Sequence, residues 1–114
     1  MSTRWAASAE NQRSSLPPGA PCLPQSQWQA LLKEISPAWR VIDGQRLERE
    51  YRLPDFAAGL ALVNRIGALA EAQDHHPDLL LAWGRVRITV WTHSVGGLSL
   101  NDFILAAHID RLAP

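Results

Sequence analysis

Trp28, Leu31, Leu32 and Ile35 recur at helical spacing and predict a first helix. Ser26, followed three positions later by Gln29, fits a capping box that opens it. Ser36-Pro37 closes it, because the residue before a proline avoids the helical region. The apolar period then changes from 3.6 to two. Residues 39–42 and 46–53 predict two strands, joined at Asp43-Gly44, a dipeptide suited to the positive φ angles of a primed hairpin turn. In the second strand Leu47, Arg49, Tyr51 and Leu53 point one way and Arg46, Glu48, Glu50 and Arg52 the other. One charged side chain, Arg49, therefore falls on the apolar face of a sheet whose other face is wet.

Asp55, just after Pro54, is placed to cap a long helix whose buried stripe is predicted as Phe56, Leu60, Val63, Ile66, Leu69 and Ala70. This helix should end near Gln73, where Asp74-His75-His76-Pro77 breaks the pattern. Residues 79–82 and 85–93 predict a second hairpin turning at Trp83-Gly84. In it Val86, Ile88, Val90 and Thr92 alternate with Arg85, Arg87, Thr89, Trp91 and His93. Gly96-Gly97 reads as a loop. Ser99 caps a last helix that carries Phe103, Ala106, Ala107 and Ile109 and runs to about residue 112. The order α-β-β-α-β-β-α predicts an α+β domain, a four-stranded antiparallel sheet with three helices on one face. The charges of the second and fourth strands leave the other face to solvent or to a partner subunit.

Residues 1–25 read as a flexible Pro/Ser-rich tail, since Pro17-Pro18-Gly19, Pro21 and Pro24 interrupt regular structure; Trp5 is its one large apolar group. The folded domain is expected over 26–114. A chain of 114 residues suits one such domain. Eleven basic and eleven acidic residues balance, so no broad cationic surface for direct nucleic-acid binding is expected. The longest apolar run, at 56–63, is far short of the ~20 residues needed to span a membrane. One cysteine, Cys22, excludes an internal disulfide framework or a multi-cysteine zinc site. The start of the chain has no apolar stretch of the secretory kind, so a cytoplasmic protein is expected.

Candidate chemistry gathers at three histidines. His75 and His76 stand where the long helix gives way to the third strand, and His93 stands at the end of the fourth. If both hairpins share a sheet, these positions meet at one edge. Imidazole titrates near pH 6.5, so such a group can move protons at neutral pH. Single loop histidines are more often solvated surface groups. A metal site is disfavoured, because adjacent histidines on a regular helix or strand cannot point at one ion. Glu71, four positions before His75, could share a helix face with it and orient it, or be a solvated surface acid. Asp102, three positions after Ser99, is explained by a capping box and the helix dipole, yet could also reach His93. Trp28 and Trp39 read as core. Trp83 and Trp91 flank the histidines in sequence, where an aromatic suits either a flat heterocycle or plain cross-strand packing.

The spacing Glu71-x-x-x-His75-His76-Pro77, then Trp83, His93 and Asp102, resembles the signature of the pterin-4a-carbinolamine dehydratase family, with every element in register. The resemblance runs from about residue 39 to 112. It implies the same α+β fold, a homodimer or homotetramer associating through the sheet edge or the long helix, and no metal or organic cofactor. It implies a lyase that dehydrates 4a-hydroxytetrahydrobiopterin to quinonoid dihydropterin in tetrahydrobiopterin recycling. By the family's pattern His75 and His93 transfer protons, His76 binds and orients substrate, and Asp102 holds a histidine in its useful tautomer. Glu71 or Asp74 bonds the pterin ring, with Trp83, Trp91, Thr92 and Ser94 also in the substrate-contacting set. Trp91 departs from the pattern, since many members carry a small residue there. The family also contains members that work by binding, as a transcriptional dimerisation cofactor or a Rubisco assembly factor in carboxysomes. A protein partner recruited by the N-terminal tail is a further expectation.

Overall fold

The computed structural model describes residues 22–112; the expectations for residues 1–21, Trp5 among them, lie outside the described residues. In chain order the elements are α1 (Gln25–Leu32), β1 (Arg40–Ile42), β2 (Arg46–Arg52), α2 (Phe56–Gln73), β3 (Asp78–Ala82), β4 (Arg85–Val90), a 3-10 turn (His93–Val95) and α3 (Leu100–Asp110). The four strands form one antiparallel sheet in the order β1-β2-β4-β3, so the hairpins join through β2 and β4. Leu47, Val86, Ile88 and Val90 face the helices, fully buried, with Leu62, Ile66, Phe103, Leu105 and Ile109. On the open face Glu50 lies within ion-pair distance of Arg52, Arg85 and Arg87, and Arg40 pairs with Glu48 at 2.7 Å.

The first hairpin turns where expected: Asp43 and Gly44 take φ of 54° and 66°, and the Gln45 N–H donates to the Ile42 carbonyl at 3.0 Å. Asp55 caps α2 by accepting from the Ala58 N–H at 2.8 Å. The start of α1 differs. Pro24 holds the N-cap position with no side-chain bond, and its carbonyl accepts from Gln27 and Trp28, so the Ser26–Gln29 capping box is not formed. Leu23 packs on the core and its N–H donates to the Leu98 carbonyl at 2.8 Å, so residues placed in the tail belong to the folded body.

The buried stripe of α2 is rotated from the expected one. Gly59, Leu62, Ile66, Ala70 and Gln73 are buried, whereas Phe56 and Leu60 are 45% and 44% exposed. Gly59 is the cause. A Cβ there would come within 2.8 Å of Leu81 Cδ1, so the bare backbone is what lets the helix approach the sheet. The larger side chains on either side are turned outward.

Asp110, at the end of α3, ties three segments together. It accepts from the Ser36 N–H at 2.9 Å and from the Trp39 Nε1–H at 2.7 Å, and it pairs with Arg49. This explains the one charge on the inner face of β2. Arg49 also lies 4.2 Å over the Tyr51 ring. Burial raises the Tyr51 hydroxyl pKa above its ordinary value; the Arg49 guanidinium pulls against the shift and the Asp110 carboxylate adds to it. Asp110→Ala would strand a half-buried guanidinium and an indole N–H, and the expected loss is about 2–4 kcal/mol in urea denaturation. A loss below about 0.5 kcal/mol would show that the network is solvated in solution.

Candidate functional site

Strand β4 ends at Val90, earlier than its alternating pattern implies. Beyond it Thr92 makes an isolated bridge to Gly97, and His93 enters a 3-10 turn instead of finishing a strand. Thr92 stays buried, while His93 is carried to the surface. On the other side, Asp74 ends α2 in the left-handed region at φ 52°, with its N–H bonded back to helix carbonyls. Few residues besides glycine, asparagine and aspartate tolerate that conformation. The reversal aims His75 and His76 in different directions.

Asp102 organises the centre. Its side chain is completely buried. One oxygen, Oδ2, accepts from the Ser99 N–H at 2.8 Å, completing the acid half of the helix cap. The Thr92 hydroxyl lies 3.1 Å from both carboxylate oxygens and 2.6 Å from the Ser99 hydroxyl. Oδ1 meets His75 Nε2 at 2.6 Å. A carboxylate accepts there, so Nε2 carries a ring hydrogen, and in the neutral ring Nδ1 is the nitrogen with the free lone pair. Asp102 thus contacts His75, not the His93 that its position near the loop suggested. Glu71 likewise bonds His76, not His75, because the turn at Asp74 breaks the helical i,i+4 relation. That second pair is exposed on both sides, so water screens it.

Asp74, His75, His76, Trp91, Thr92, His93 and Ser94 line one pocket of about 280 Å³. The Trp91 and His93 rings are 4.5 Å apart between centroids, tilted by 38°. Glu71 and Asp102 stand behind the lining as partners of His76 and His75. Trp83 is not brought to the pocket: it is 74% exposed at the β3–β4 turn, the far end of a hairpin whose other end carries the histidines. Nearness in sequence misled there, since five residues of strand separate the ends by about 16 Å. One neighbour was missed. The Arg46 guanidinium lies 4.7 Å over the Trp91 ring, a contact that depends on strand register and leaves no mark in either segment alone.

The α+β domain thus brings a histidine anchored by a buried acid, His75, and a second histidine, His93, to one small cleft. Residues 21–112 match the family model for pterin 4 alpha carbinolamine dehydratase, and the chain belongs to the pterin-4a-carbinolamine dehydratase family. A Rubrobacter xylanophilus protein named "Putative pterin-4-alpha-carbinolamine dehydratase" is 45% identical over 94 residues, covering 82% of this chain and 87% of that protein. A Gloeobacter violaceus relative of the same description is 41% identical over 107 residues, 91% of each chain. The crystal structure of a transcriptional coactivator/pterin dehydratase from Brucella melitensis superposes with a TM-score of 0.75 at 28% identity, covering 82% of this chain and 99% of that one. A pterin dehydratase-like RuBisCO assembly factor of the alpha-carboxysome shares the fold, with a TM-score of 0.57 at 23% identity over 67% of this chain and 89% of that one.

Asp102→Asn tests the anchoring. The amide turns an acceptor into a donor facing His75, so the ring hydrogen should move from Nε2 to Nδ1 in 15N spectra. Stability should fall by about 1–3 kcal/mol, the cost of a mismatched buried polar contact. An unchanged His75 tautomer would mean that Asp102 does not set it.

Proposed function

We propose that this protein dehydrates 4a-hydroxytetrahydropterin to quinonoid dihydropterin, with His75 as base and His93 as acid. The observation that carries the reading is that three imidazoles line one pocket and only one of them, His75, is anchored by a buried carboxylate. With Nε2–H committed to Asp102, the Nδ1 lone pair of His75 takes the proton from N5. The N5–H electrons become the N5=C4a double bond, and the C4a–O bond breaks. His93 protonates the departing hydroxide, so water leaves and the net proton count is unchanged. His93 is exposed, so it recovers its proton from solvent. The imidazolium formed at His75 is matched by Asp102. Each acid–base contribution is worth about 10²–10⁴-fold in such catalysis. His76, steadied by Glu71, and Asp74 offer polar groups for the pterin ring.

The test follows dehydration of enzymatically generated 4a-hydroxytetrahydropterin by ultraviolet absorbance. Wild type should outpace the spontaneous reaction, and His75→Ala and His93→Ala should each lose about 10²-fold or more of the gain. No acceleration by wild type would favour the second reading, a dehydratase-fold binding module, which the coactivator description of the Brucella melitensis relative supports.

We also propose that the chain self-associates through α2. Phe56 and Leu60, one turn apart, form an exposed apolar stripe on this helix. Phe56→Glu with Leu60→Glu should shift the mass in light scattering toward the monomer. A wild-type mass already equal to one chain would refute self-association.

A further inference from the structure

The pocket is electrically two-sided. Asp74 lines it, and Glu71 stands nearby as the partner of His76. Toward the sheet the charge is reversed. Trp91 forms part of the lining, and the Arg46 guanidinium lies 4.7 Å over its ring. Register explains that contact. Leu47 pairs with Val90 on the buried face, so the next residues outward, Arg46 and Trp91, meet on the open face. The other arginines of the sheet have carboxylates: Arg40 has Glu48, Arg49 has Asp110, and Arg52, Arg85 and Arg87 gather at Glu50. Arg46 has no carboxylate partner among the described residues, and its exposed N–H donors are open to a ligand.

A pterin is two-sided in the same sense. Its amino group and N3–H form a donor edge on the pyrimidine ring, which suits a carboxylate. Its side chain stands on the pyrazine ring at the opposite end. With the donor edge held by Asp74, the side chain is directed away from the acid. We propose that Arg46 recognises an anionic group, a carboxylate or a phosphate, on the side chain of the pterin bound here. Trp91, itself part of the lining, is the platform on which the guanidinium rests. A stacked guanidinium keeps its edge donors free for two parallel bonds to such a group. The inference rests on the pterin reading of the pocket and adds the chemical class of its ligand.

Equilibrium binding of three pterins, followed by their own fluorescence, tests it: 6-hydroxymethylpterin, its phosphate monoester and 6-carboxypterin. Wild type should bind at least one anionic pterin about fivefold more tightly than the neutral one, the scale of an exposed charge-assisted contact. Preference for the phosphate ester alone, or for the carboxylate alone, identifies which group is read. In Arg46→Gln the ratio of anionic to neutral affinity should fall to about one, and Arg46→Lys should restore part of it. Equal wild-type affinity for neutral and anionic pterins overturns this inference and leaves the pterin reading standing. So does a preference that survives Arg46→Gln. Failure of wild type to bind any of the three overturns both.

Discussion

A carboxylate with no access to water cannot stand unpaired, and Asp102 is such a group. Its acceptor sites are met from the Ser99 backbone at the start of α3, the Thr92 hydroxyl beyond β4 and the His75 ring beyond α2. The segments that follow α2 and β4 and the start of α3 are held at one point by this requirement. The positive end of α3 adds a favourable field. The same contacts that satisfy the acid place His75 on the pocket, so the cap and the site are one structure.

The opposite end of α3 poses a harder electrostatic problem. Asp110 ends that helix, where the dipole disfavours an anion. Arg49, the Trp39 indole and the Ser36 backbone offset this from outside the helix. An almost wholly buried helix is thus pinned by acids at both termini, one joined to the site and one to the β2 face and the start of β1. Sliding α3 along its axis would break both sets of contacts at once.

The fold was legible because its signals were local. Asp43-Gly44 marked a turn, Asp55 and Ser99 marked helix starts, and the period-two stretch 86–92 picked out the buried face of β4 correctly, Thr92 included. What misled was anything decided by approach between elements. The inward stripe of α2 runs through Gly59, a residue whose contribution is an absent side chain. Assignment by apolarity therefore favoured Phe56 and Leu60, which lie outside. The residue types at the site were legible from spacing, but their pairings were not. Each acid was matched to the neighbour nearest in sequence, and both matches were displaced by backbone reversals, at Asp74 and at the turn after Thr92.

Those reversals give adjacent histidines unequal environments. His75 has a side chain 11% exposed and a fully buried partner; His76 is 56% exposed and its partner Glu71 78%. A short bond in a dry setting holds ring orientation and tautomer together, whereas an exposed pair exchanges freely with water and is worth little in fixed geometry. The first environment suits the base proposed above, since its lone pair must point at one atom when the proton moves. The second suits the ligand-orienting donor proposed above, because such a group can adjust to what binds. The left-handed turn at Asp74 thus does more than end a helix. It divides two identical side chains into one held rigidly and one left adaptable.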